Sequence, residues 1–140
     1  MRTKRGLFPS LPFRWSMPAM LYLTAPDRAT AFRIARRLLD DRLIACANVF
    51  EAQSIYRWEG RTVRAREAVA VMKTSSGRVG AALRAAKRLH PDRVPCVVAY
   101  RMAAGDPDYL AWVNAETRAP PSRRTRRRRA SGRRPRSSRT

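Results

Sequence analysis

Between residues 20 and 118 the apolar residues switch repeatedly between an extended and a helical period, and the order of those switches restricts the fold more than anything else in the chain. "MLYLT" (20–24) is a short apolar run closed by "APD". It predicts a strand and a turn, with Asp27 placed to cap a helix. In "RATAFRIARRLLDDRLIA", Phe32, Ala35, Leu38, Leu39 and Leu43 recur at helical spacing, while Arg33, Arg36, Arg37 and Asp40 take the other face. "ACANVFE" and "QSIYRWEG" read as extended, and "TVRAREAVAVMKT" as a further strand joined through the Glu59-Gly60-Arg61 turn, so a hairpin sits in mid-domain. Helical spacing resumes at Val79, Leu83, Ala86 and Leu89, behind serines where an N-cap belongs. Pro91 and Pro95 bracket a break, and "CVVAYRM" is apolar and β-branched enough for a buried strand. "GDPDYLAWVNAET" predicts a short last helix, with Asp106 and Asp108 as turn and cap residues. The order β-α-β-β-α-β plus one helix predicts an α+β protein: a ferredoxin-like split β-α-β antiparallel sheet with an added C-terminal helix.

Charge sets the limits of that domain. The chain has 140 residues and a formal charge of +21, but residues 20–118 hold all ten acids and carry only +7. Residues 1–19 and 119–140 contain no acid, and the second stretch contains ten arginines. The expected organisation is therefore a disordered extension (1–19), one folded domain (20–118) and a disordered Arg-rich tail (119–140). Pro9, Pro12 and Arg14 interrupt any signal-peptide core, and Met17 and Met20 are alternative starts to Met1. No run approaches the roughly 20 apolar residues of a membrane span. Two cysteines fifty positions apart do not make a disulfide framework, so reduced thiols in the cytoplasm are expected.

Few residues carry chemistry. His90 is the only histidine, and Cys96 follows six positions later. With Cys46 as a third donor they are candidate ligands for copper or another soft divalent metal, which favours thiolate and imidazole. Cys46 also suits a small buried apolar site. No group identifiably orients His90 toward a cysteine, and no Gly-rich phosphate loop is present, so no catalytic residue is assigned.

"LTAPD", "LIACANVF", "SIYRWEG", "VMKT", "LHP" with "VP" soon after, and "GDPDYLAWV" occur in order across 20–118, and together they resemble the CutA divalent-cation tolerance family. The resemblance implies a homotrimer in which extended strands pair across subunits. It also implies a role in the response to metal ions, copper above all, with no established reaction. Within such a trimer Tyr56, Trp58, Glu59, Lys73, Tyr109 and Trp112 are expected at the interface or its pocket, Tyr56, Trp58 and Trp112 being aromatic types enriched at interfaces. Of a Cys and a His-His pair proposed as copper ligands in some members, only His90 is present, with Leu23 and Leu89 at the other matching positions. Where the family has a Glu after "VP", this chain has Cys96. The alternative reading is a nucleic-acid-associated trimer that binds phosphates unspecifically through its Arg-rich tails.

Overall fold

The computed structural model describes residues 17–118. The chain runs β1 (Ala19–Ala25), α1 (Arg28–Asp40), β2 (Cys46–Trp58), β3 (Arg61–Thr74), a short 3-10 turn (Ser76–Arg78), α2 (Val79–Leu89), β4 (Val97–Arg101) and α3 (Pro107–Glu116). The strands form one sheet in the order β2-β3-β1-β4, with every neighbouring pair antiparallel. This is the ferredoxin-like arrangement expected from the order of periods. The two extended stretches before the turn are one continuous strand, β2.

Strand alternation decides which face is covered. Leu21 and Leu23 of β1 lie opposite Met72 and Ala70 of β3, and these buried residues pack with Ile34 and Leu38 of α1 and with Ala82 and Ala86 of α2. Alanines on α2 let that helix sit close to the sheet. Burying a side chain such as Leu23 or Leu38 contributes about 1.5–3 kcal/mol relative to leaving it in water. Neither α1 nor α2 lies on the other face, which α3 touches at the Cys46 end through Tyr109. Phe50, Tyr56, Trp58, Val98 and Tyr100, which fall there by register, all remain exposed.

Local geometry follows the sequence at the turns and caps. Glu59 and Gly60 have φ of 49° and 75°, the left-handed pair of a two-residue hairpin turn. At the start of α1 the Thr30 backbone N–H donates to Asp27 Oδ1 at 2.7 Å, and at the start of α3 the Tyr109 N–H donates to Asp106 Oδ2 at 2.9 Å. The Thr30 backbone N–H first, then its hydroxyl, and beyond them the charge of Arg33, hold the Asp27 carboxyl below its ordinary value of 3.8. The cap's charged form is therefore worth most above that ordinary value, and the benefit is lost as pH falls through the lowered one. Asp27→Ala is expected to lower the urea midpoint near neutral pH, with the gap to the native chain narrowing in acid. Asp27→Asn, which caps without titrating, should restore most of the midpoint and flatten its pH dependence.

Three expectations are corrected. Phe32 and Leu39 do not face the core: Phe32 is 58% exposed, because Ala31, Ile34, Ala35 and Leu38 already complete the buried stripe at helical spacing. No serine caps α2, which grows out of the 3-10 turn with Arg78 at its N-cap position. The "CVVAYRM" strand is not buried in the single chain. It is a sheet edge, with Val98 42% and Tyr100 54% exposed, because no element covers its outer face. The extension and the tail expected from the charge pattern, apart from residues 17–19, lie outside the described residues.

Candidate functional site: a notch at the end of the sheet

β1 stops pairing with β3 at Ala25 opposite Ala68, whereas β2 and β3 stay paired out to Trp58 opposite Arg61. Residues 61–67 of β3 therefore continue past the sheet as half of a two-stranded ribbon, about 20 Å long. The loop after α2 turns back beside the base of this ribbon, where the Thr24 N–H donates to the Cys96 carbonyl at 3.1 Å. Ribbon and loop enclose a notch of about 620 Å³. Tyr56, Trp58 and Glu67 line it from the ribbon, Asp92, Arg93, Val94 and Cys96 from the loop, and Thr24 from the end of β1.

His90 builds the loop rather than the lining. It caps the end of α2, its backbone N–H donating to the Ala86 carbonyl at 3.0 Å, and its side chain is buried. Nδ1 accepts the Asp92 backbone N–H at 3.0 Å, which leaves Nε2 as the protonated nitrogen, donating to the Thr24 carbonyl at 2.6 Å. Both ring nitrogens are thus occupied, and the imidazole pins the loop to β1. The Asp92 carboxylate lies 3.9 Å from Nδ1.

The three candidate ligands do not come together in one chain. Cys96 is exposed in the notch, next to the loop that His90 holds. Cys46 is half-buried at the opposite end of the sheet. It pairs across with Lys73, four residues along β3 from the partner of Thr24, about 13 Å away. Its Sγ lies 3.4 Å from the Tyr109 hydroxyl, and this hydrogen bond, followed by partial burial, pushes the phenol up to about 12. Among the described residues no group of three or more His, Cys, Asp or Glu side chains converges to hold a metal ion. The notch offers one soft donor, the Cys96 thiol, and its carboxylates, Glu67 and Asp92, do not converge with it in one chain.

The six residues assigned to interface or pocket fall into two groups. Tyr56 and Trp58 line the notch, and Glu59 sits in the turn at the ribbon tip. Lys73, Tyr109 and Trp112 gather at the far end with Cys46, where Lys73 Nζ donates to Asn48 Oδ1 at 2.7 Å and the Tyr109 and Trp112 rings lie 5.8 Å apart. Sequence reasoning missed Glu67 and Arg93 as lining residues. The alternation in "TVRAREAVAVMKT" could have found Glu67, which shares the open face with Val69 and Val71.

Fold and notch define a small ferredoxin-like α+β protein with one sheet face that α1 and α2 leave uncovered and an open recess of mixed polar and apolar lining at the end of the sheet. The sequence profile of the CutA1 divalent ion tolerance protein matches residues 19–116, and the chain belongs to that family. It is similar to the divalent-cation tolerance protein CutA of Archaeoglobus fulgidus, 35% identical over 98 residues that cover 70% of this chain and 96% of that protein. It is also similar to CutA of Escherichia coli (strain K12 / DH10B), 38% identical over 96 residues covering 68% and 86%. Among solved structures, CutA from Xylella fastidiosa superposes with a TM-score of 0.71 at 36% identity, covering 74% of this chain and all of that one. The divalent cation tolerance protein of Thermus thermophilus gives 0.70 at 35%, covering 72% and 99%.

Proposed function

We propose that the chain acts as a homotrimeric, non-catalytic binding protein in the response to divalent metal ions, and that it takes copper or another soft divalent ion at Cys96 in the notch. Self-association is supported by one observation above all: residues 61–67 of β3 have no strand on their free side. A two-stranded ribbon is marginal alone in water, and unpaired edges invite another strand. The bare face with Val98 and Tyr100 adds an apolar surface of the kind copies of one chain bury. Three copies is the number the family resemblance implies. A neighbouring copy laid along the free edge would close the notch where its wall and donors are incomplete. Both cysteines are free, which fits a cytoplasmic setting.

Titration of the full chain with Cd²⁺, followed in the ultraviolet, tests the cation site because a thiolate ligand gives a charge-transfer band. The band is expected in the native chain and in Cys46→Ser, with at least a tenfold loss of affinity in Cys96→Ser. A band that persists undiminished in Cys96→Ser would remove the notch from the proposal.

A further inference from the structure

The helix layer carries an uneven charge. On α1, Arg36 and Arg37 are paired with Asp40 and Asp41 one turn on, each at 3.0 Å, and Arg28 lies 3.7 Å from Glu51. On α2 nothing compensates. From Ala68 to His90 the sequence holds five basic residues and no acid. Two of the five are engaged: Lys73 with Asn48, and Arg78, whose Nε donates to the Thr117 carbonyl at 2.9 Å. The other three, Arg84, Lys87 and Arg88, are exposed on α2 and make no hydrogen bond or ion pair among the described residues.

Their placement suits a polyanion. Positions 84, 87 and 88 lie within about one helical turn on a single face, so their charges reach one short stretch of a backbone together. The Arg84 guanidinium lies back along the helix over Gly80, where a Cβ would stand 3.3 Å from Nη1. None of the large exposed apolar side chains belongs to α2, so this face lacks the residues that an interfacial helix inserts into lipid. Helices α1 and α2 lie on the side of the sheet opposite Val98 and Tyr100, so a trimer buried through that opposite face leaves α2 outward. Arg78 also ties the end of α3 to the start of α2, and the ten arginines of residues 119–140 follow in sequence from that point.

We infer that the outer face of α2, through Arg84, Lys87 and Arg88, is a docking surface for the phosphate backbone of double-stranded nucleic acid, separate from the notch. Recognition is by charge, without base reading, and repeated copies strengthen it by avidity. It differs from binding by the tail in naming a site on the folded domain.

Fluorescence anisotropy of a labelled DNA duplex tests this with the full chain, in a background where the ten tail arginines are changed to serine. In that background, binding is expected to persist at about 50 mM salt and to weaken steeply toward 200 mM. Arg84→Gln, Lys87→Gln and Arg88→Gln together should weaken it at least tenfold and reduce the slope of log affinity against log salt by about 2–3. A charge-preserving variant, Arg84→Lys with Arg88→Lys, should keep both affinity and slope. Circular dichroism of each variant distinguishes lost charge from lost fold. Absence of duplex binding in the serine background, or binding that the glutamine variant leaves unchanged, would overturn the inference. So would tighter binding to phosphatidylserine vesicles than to the duplex, with the exposed Phe32 and Leu39 of α1 then supplying the contact.

Discussion

Val98→Asp is expected to dissociate the proposed trimer. Val98 lies on the edge strand β4, exposed on the face opposite α1 and α2, beside Tyr100 one pleat along. In an isolated chain a carboxylate there would cost little, because the position is already in contact with water. Once copies close over the face, the same carboxylate is buried without a partner, at about 3 kcal/mol for each of three sites, or roughly a million-fold in the trimer's dissociation constant. The measurement is mass in solution by light scattering, alongside circular dichroism. The expected result is a chain with native secondary structure at one third of the native mass. A Val98→Asp protein that keeps its mass would place the contact between copies elsewhere.

His90→Ala is expected to lower stability by about 2–4 kcal/mol. The substitution removes the donor to the Thr24 carbonyl, leaves the Asp92 N–H without its acceptor, and empties the fully buried space of the ring. The loop from 91 to 96 then loses its side-chain tie to β1 and keeps the backbone bond from the Thr24 N–H to the Cys96 carbonyl. Urea unfolding should show a lower midpoint with unchanged slope, and the Asp92 amide should exchange faster. His90→Gln, whose amide can donate toward Thr24, should recover part of the loss. The same variants decide between a structural and a ligating imidazole. A His90→Ala protein with unaltered stability and abolished Cd²⁺ binding would make His90 a metal ligand after all.

Much of the architecture is legible from residue spacing because each element carries its own period and its own stops. Asp27 and Asp106 announce two helix starts, and Glu59-Gly60 announces the hairpin turn through the left-handed backbone it needs. What spacing cannot convey is whether an apolar strand is covered by its own chain or by another copy. "CVVAYRM" has apolar residues on both faces, which reads as burial, although β4 is an edge. Phe32 matches a helical stripe that Ala31, Ile34, Ala35 and Leu38 fill without it. The candidate site was less legible still. His90 and Cys96 are close in sequence and meet at one loop, yet the bonds that fix the imidazole come from a backbone N–H and a backbone carbonyl. Cys46 lies a sheet length from both, a separation set by strand register rather than by distance along the chain.

The proposed function rests most on self-association, which would close the ribbon, the uncovered face and the notch at once. Its most direct test is the mass of the full chain in solution by multi-angle light scattering across a dilution series. A constant mass three times the 16.0 kDa of one chain is the expected result. A mass of one chain at all concentrations would contradict it.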